Sequence, residues 1–183
     1  LARAVGYEGA GTIEFLYSDD GHFYFMEMNT RLQVEHPVTE MVTGLDLVKW
    51  QIRCAAGTRL PFKQEDIHPQ GAAIECRINA EDENFRPSCG KITTLHVPNG
   101  PGVRFDSALY QGCVVPPWYD SLLVKLIVHA PTREEAIRKM RSALGELAIE
   151  GVCDNSELQL DILNNPEFLS GVYHTDLMGH LYA

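Results

Sequence analysis

Two β-branched and aromatic runs joined by a short polar tip constrain this chain most. Thr12-Ile13-Glu14-Phe15-Leu16-Tyr17 and His22-Phe23-Tyr24-Phe25-Met26-Glu27 flank Ser18-Asp19-Asp20-Gly21. Asp-Gly between such runs is a strong hairpin signal. A two-residue turn at Asp20-Gly21 sets Glu14 opposite Glu27. Directly opposed Cβ atoms lie roughly 4.5–5.5 Å apart, and like charges there are destabilising. A shared proton, an arginine or a divalent cation would offset the repulsion. Glu14, Glu27 and the amide oxygen of Asn29 are hard ligands that suit Mg²⁺ or Mn²⁺. A bulge would move the register by one residue and leave the pair usable, provided both groups end on one face.

The second run continues as Met28-Asn29-Thr30-Arg31-Leu32-Gln33-Val34-Glu35-His36. In an extended chain, alternate side chains share a face. Glu27, Asn29, Arg31, Gln33 and Glu35 then line one side, and Met26, Met28, Leu32 and Val34 the other. Exposed strand charges, with Arg31 paired to Glu35, are the plainer reading of this row. Taken together, it also offers metal-type carboxylates, a planar cation suited to an oxyanion and a carboxylate able to act as a base. That set suits a phosphate–metal complex beside a small anion.

The chain has 183 residues and a formal net charge of -10, which argues against a nucleic-acid surface. No apolar run approaches the roughly 18 residues that span a bilayer, and no signal-peptide pattern opens the chain. The five cysteines are widely spaced, with no Cys-x-x-Cys pair. This disfavours zinc and favours a reducing, intracellular setting. Leu1 to Tyr7 reads as the end of a helix without an initiator methionine, so a piece of a longer chain is expected. Neither a glycine-rich phosphate loop nor a Ser/His/Asp signature is present.

Further along, His36-Pro37 is expected to interrupt pairing. A helix is expected from Thr43-Gly44-Leu45-Asp46, with Leu45, Val48, Ile52 and Ala55 packing as a stripe and Gly57 as the stop. Residues 58–70 carry Pro61 and Pro69 and read as a linker. From Gly71 to Ala80 Glu75, Arg77 and Asn79 share one strand face, where Arg77 and Glu75 suit an ion pair. Strands are expected at Lys91–Val97, Val103–Ser107, Cys113–Val115 and Leu122–His129. Asp120 caps the last of these or pairs with Lys125 or Arg104. A helix opens at Thr132 with Glu135, carries Ile137, Met140, Leu144 and Leu147, and ends by Gly151. Another, capped by Asp154 or Asn155, runs to Ile162 and is broken by Asn165-Pro166.

Glu27 to Glu40 closely resembles the signature of the biotin carboxylases, within the ATP-grasp superfamily. Glu75-Cys76-Arg77-Ile78-Asn79-Ala80-Glu81-Asp82, Pro87-Ser88-Cys89-Gly90-Lys91-Ile92 and Tyr119-Asp120-Ser121-Leu122 look like three further motifs of that family. The match is greatest to the biotin carboxylase subunits of bacterial acetyl-CoA carboxylase, which serve fatty-acid synthesis. The resemblance implies an α+β chain. Residues 1–57 would be the C-terminal part of an ATP-grasp domain, with antiparallel strands plus a helix. The linker at 58–70 would lead to the biotin carboxylase C-terminal domain at 71–183, an antiparallel sheet with helices.

By the same resemblance, Glu14, Glu27 and Asn29 hold Mg²⁺ or Mn²⁺ against the ATP phosphates. Leu16 and Met26 lie near adenine and, with Glu14 and Glu27, complete the ATP-binding set. Arg31 and Glu35 are catalytic. Arg31, Gln33, Val34 and Glu35 hold bicarbonate, and Glu35 deprotonates it. Arg77 stabilises the ureido oxygen of biotin, and Arg104 matches a homodimer interface position. The implied reaction joins ATP and bicarbonate as carboxyphosphate, then carboxylates biotin on a carrier protein that serves a carboxyltransferase, in the cytoplasm. Cys89 stands where the family has proline, the loop at Asp82-Glu83-Asn84 is slightly short, Asp154-Asn155 replaces Thr-Asn, and Pro101 replaces an aromatic of the dimer interface. The family's N-terminal domain, lid lysines and glycine-rich lid are absent, so this piece alone is expected not to turn over ATP. Three alternatives share these motifs: a non-catalytic dimerisation or carrier-docking module, the same module of a propionyl-CoA, methylcrotonyl-CoA or pyruvate carboxylase, and a sibling ATP-grasp ligase, against which the Arg31–Glu35 run argues.

Overall fold

In a computed structural model that describes residues 1–181, the chain is α+β and divides into two compact units. One spans Leu1–Gln70 and the other begins at Gly71.

The first unit is built on a hairpin, β1 (Thr12–Tyr17) and β2 (Phe23–Asn29). Its tip is not the two-residue turn expected. Ser18 N donates to His22 O at 3.0 Å and Gly21 N to Ser18 O at 2.9 Å. Asp19-Asp20-Gly21 is thus a three-residue loop, with Gly21 at φ 84° supplying the left-handed residue that such loops place last. Near the tip Phe15 pairs with Phe25 and Tyr17 with Phe23, yet Glu14 pairs with Glu27 and Thr12 with Asn29. Met26 is therefore the extra residue of a β-bulge. The bulge offsets the longer loop, so Glu14 and Glu27 pair as expected while the residues nearer the tip are shifted by one.

The strand stops at Asn29, and the five-residue row of alternating side chains does not form. Arg31 lies in a bend, Val34 and Glu35 in a turn. Helix α1 (His36–Thr43) follows, with Pro37 in its first turn. Here proline opens a helix, where its missing N–H costs nothing. Helix α2 (Leu47–Ala55) starts later than expected, with Asp46 rather than Thr43 as its cap. The Asp46 carboxylate accepts from Lys49 N at 2.8 Å. Val48 and Ile52 are exposed, so the stripe expected to pack does not. Trp50 meets the Phe62 ring edge-on at 5.3 Å. Among the described residues of this unit, Pro37 is the one that is buried.

The second unit holds the core. Strands β3 (Ala72–Asn79), β6 (Val103–Ser107) and β8 (Leu122–Ala130) form an antiparallel sheet in the order β3-β8-β6. Cys76, Ile78, Val124, Leu126 and Val128 join Ile137, Met140 and Leu144 of α3 (Arg133–Glu146) in one buried cluster. The α3 cap is Thr132, whose side chain accepts from Glu135 N at 3.2 Å. The expected strand at Lys91–Val97 is two short ones, β4 (Gly90–Lys91) and β5 (Thr94–His96). Strand β4 pairs with β7 (Val114–Val115), and β5 with β9 (Ala148–Glu150). Strand β9 occupies residues expected to be helical. Its pairing with β5 is long-range, so helical periodicity carries no trace of it. Helix α4 (Ser156–Asn164) has Asn155 at its cap, and Asn165-Pro166 starts a further short helix, α5 (Pro166–Ser170), rather than only ending one. Helix α6 (Leu177–Leu181) closes the described chain.

Candidate functional site

The bulged hairpin brings three polar side chains to one point. Asn29 Nδ2 donates to Glu14 Oε1 at 2.8 Å and to Glu27 Oε1 at 3.1 Å. One amide NH₂ thus bridges both carboxylates, which converge as a shared cation would require. Arg31 Nη2 donates to Asn29 Oδ1 at 3.3 Å, and its Nη1 donates to Gln33 Oε1 at 3.0 Å and to Leu32 O at 3.1 Å. A continuous chain of hydrogen bonds therefore runs from the two carboxylates through Asn29 and Arg31 to Gln33. The two strands of the hairpin supply the first three members and the irregular segment the last two. Arg31 is exposed rather than turned into apolar surroundings.

Glu35 occupies the N-cap position of α1, where Val38 N donates to its carbonyl at 3.1 Å. His36 Nδ1 lies 2.9 Å from Gln33 O, so this histidine fixes the turn that carries Gln33, Val34 and Glu35. A cavity of about 700 Å³ in the first unit is lined by Arg31, Gln33, Glu35 and His36, and by apolar groups including Trp50 and Phe62. Sequence reasoning did not find this cavity, because its apolar wall comes from α2 and from residues read as linker. Leu16 and Met26 are exposed, with Leu16 opposite Tyr24 and Met26 in the bulge.

In the second unit, Arg77 Nε lies 3.9 Å from Glu75 Oε1. The Glu75 side chain is 4% exposed and that of Arg77 49%. The ion pair suggested by their spacing is present, and the guanidinium stays half open to solvent. Asp120 caps β8 by accepting from Leu122 N at 2.9 Å. Arg104 and Lys125 instead pair with Asp106, at 2.7 and 3.8 Å. Among the described residues no cluster of three or more His, Cys, Asp or Glu could hold an ion, so a cation here would rest on two acids and an amide.

The hairpin with its carboxylate pair, and the exposed arginine just beyond it, lie in a segment of the ATP-binding domain class. Residues 1–63 match the carbamoyl-phosphate synthase L chain, ATP binding domain. Residues 75–180 match the biotin carboxylase C-terminal domain, and the chain belongs to that family. The biotin carboxylase of Haemophilus influenzae is 58% identical over 91% of this chain and 37% of its own length. Among solved structures, the biotin carboxylase domain dimer of Hydrogenobacter thermophilus 2-oxoglutarate carboxylase, in complex with MgADP, ADP and bicarbonate, superposes with a TM-score of 0.92. It is 49% identical, over all of this chain and 41% of that one. The pyruvate carboxylase of Rhizobium etli superposes with a TM-score of 0.89 and is 42% identical, over 97% of this chain and 19% of that one. The chain thus spans well under half the length of these relatives.

Proposed function

We propose that this chain is the metal- and bicarbonate-handling part, with the C-terminal domain, of a biotin carboxylase. The whole enzyme would use ATP and bicarbonate, through carboxyphosphate, to carboxylate biotin on a carrier protein. The observation that carries this reading is the hydrogen-bonded run from Glu14 and Glu27 through Asn29 to Arg31 and Gln33.

Two carboxylates and one amide oxygen fit a hard divalent ion, and Glu14, Glu27 and Asn29 would hold Mg²⁺ or Mn²⁺. When bound, that ion supplies positive charge to the ATP phosphates. Asn29 now gives its NH₂ to the acids and its oxygen to Arg31, so ligation requires the amide to turn over. That turn frees one guanidinium edge of Arg31 for a bidentate oxyanion, which is how arginine grips carboxylates best. Gln33 and the Val34 backbone position the same anion, and Glu35, exposed at the start of α1, acts as the base toward it. Arg77 offers its half-open guanidinium to the oxyanion that develops on the ureido group of biotin. Leu16 and Met26 contribute apolar surface beside adenine.

The domain boundaries belong to the same reading: residues 1–57 end an ATP-grasp domain, 58–70 link, and 71–183 form the C-terminal domain. Phe15, Phe23 and Phe25 share one face of the hairpin and are each more than 40% exposed. An apolar face of this kind marks a surface that has a partner, here the remainder of the ATP-binding domain. The carrier protein, a carboxyltransferase, homodimerisation and a cytoplasmic setting are inferred from the family. The relatives are named for different carboxylases, 2-oxoglutarate and pyruvate among them, so the final acceptor is set outside this chain.

Joining this sequence to the preceding part of an ATP-binding domain and assaying ATP-dependent carboxylation of free biotin tests the proposal. Bicarbonate-dependent product, lost in Arg31→Ala and in Glu35→Gln, is the expected result. The 183-residue chain alone should show no bicarbonate-dependent ATP hydrolysis. Carboxylation that survives either substitution would overturn the assignment of roles.

A further inference from the structure

Cys89 and Cys153 are exposed, carry free thiols and lie outside the site above. The segments that bear them run antiparallel. Thr93 N donates to Glu150 O at 2.8 Å. A Cβ on Gly90 would stand 2.7 Å from Gly151 O and 3.2 Å from Val152 Cγ1. Cys153 N donates to Ser88 Oγ at 2.9 Å. As one set of numbers falls from 93 to 88, the other rises from 150 to 153. Cys89, between Ser88 and Gly90, therefore sits across from Val152 and Cys153.

The side-chain directions agree. Val152 packs against the core cluster, so its neighbour Cys153 faces outward. The missing Cβ of Gly90 points toward Gly151 and Val152, and Cys89 beside it is exposed. The flanking contacts hold the two cysteine-bearing segments side by side, and a disulfide needs Cα atoms about 4.4–6.8 Å apart. The buried cysteine of β3 is unsuited to such chemistry: burial pushes the Cys76 thiol up to about 12, which leaves almost no thiolate to react.

We infer that Cys89 and Cys153 form a dithiol–disulfide couple, oxidised by a small disulfide such as oxidised glutathione. The thiolate of one cysteine attacks the glutathione disulfide and expels one glutathione thiolate, giving a mixed disulfide. The second cysteine thiolate attacks the cysteine sulfur of that mixed disulfide and expels the other glutathione. Two electrons pass from the cysteine pair to the glutathione pair, and the two thiol protons leave with the two glutathiones. The bond would pin the loop before α4 to the segment after Pro87. That loop already clamps the end of β3: Asn79 N donates to Asn155 Oδ1 at 2.9 Å, and Asn155 N to Asn79 O at 3.2 Å. The couple thus acts two residues along the strand from Arg77.

The test is incubation with excess oxidised glutathione in mildly alkaline buffer, blocking of free thiols, digestion without reductant and mass spectrometry. A peptide pair joining Cys89 to Cys153, two hydrogens lighter than the sum and released by dithiothreitol, is expected. Cys89→Ser and Cys153→Ser should each lose the pair and carry one glutathione on the remaining thiol. Both exchanges are near-isosteric at exposed sites, and far-ultraviolet circular dichroism checks the fold. Wild-type protein with glutathione on both cysteines and no joined peptides would overturn the inference. Either thiol staying free, or a bridge through Cys113, overturns it equally.

Discussion

Glu27→Gln should make the metal-free protein more stable and abolish its response to Mg²⁺. Glu14 and Glu27 are cross-strand partners. At ~5 Å, two unit negative charges repel by about 0.8 kcal/mol in water and about 3 kcal/mol at an effective dielectric of ~20. Both side chains are exposed, so the low end applies, and removing one charge should stabilise by up to about 1 kcal/mol. The glutamine retains an oxygen to accept from Asn29 Nδ2, so the bridging amide keeps its partners. In wild type, a site of ~1 mM affinity at ~10 mM Mg²⁺ would add about 1.4 kcal/mol. Tryptophan fluorescence during urea unfolding isolates the relevant unit. Trp50 packs against Phe62, while the other tryptophan, Trp118, is 80% exposed and changes environment little on unfolding. The midpoint should rise with Mg²⁺ in wild type. In Glu27→Gln it should start higher in EDTA and stay fixed. A variant that is less stable in EDTA, or that keeps the Mg²⁺ shift, would refute the shared-cation reasoning.

Arg31→Lys should leave the fold intact and lower carboxylation by the completed enzyme about 100-fold or more, the scale of losing a preorganised oxyanion donor. Steady-state assays at saturating ATP read this directly. Met140→Ala, at a fully buried core position, should cost about 2–5 kcal/mol, measured by urea unfolding of the second unit through circular dichroism. The Cys76 thiol has an ordinary value of 9.0 and is raised to about 12 by burial, with the Glu75 charge adding to the effect. The native state then holds its proton over a range in which the unfolded state has lost it, so stability falls as pH rises from about 9 toward 12, by about 1.4 kcal/mol per unit at most. Cys76→Ala should flatten that part of the stability profile, and Cys76 should react with thiol reagents roughly 1000-fold more slowly than an exposed cysteine.

The meeting of Glu14 and Glu27 was legible in the sequence, but for a reason only half right. A longer tip and a bulge at Met26 cancel, and neither has a mark in single-residue propensity, since Asp19-Asp20-Gly21 serves several loop types. The alternating row from Glu27 to Glu35 was misread in kind. Glu27, Asn29, Arg31 and Gln33 gather through side-chain hydrogen bonds across a bend, not by strand periodicity, while Glu35 stands at the start of α1. Local signals did well at Thr132, which caps α3 through its own side chain as expected, and less well at α2, whose cap is Asp46 rather than Thr43. They failed where distant partners decide: β9 exists only because β5 lies beside it. The exposed stripe of α2 looked like core because a single sequence does not show which faces find company.

The bulge at Met26 has a consequence for how this hairpin tolerates change. Because the pairing slips between Phe15 and Glu14, the tip and the acidic end behave as two separately indexed ladders. A residue gained or lost between Ser18 and His22 can be absorbed at the slip before it reaches the carboxylates. Length variation among natural variants should therefore collect at the tip, and the spacing from Glu27 to Arg31 should stay constant.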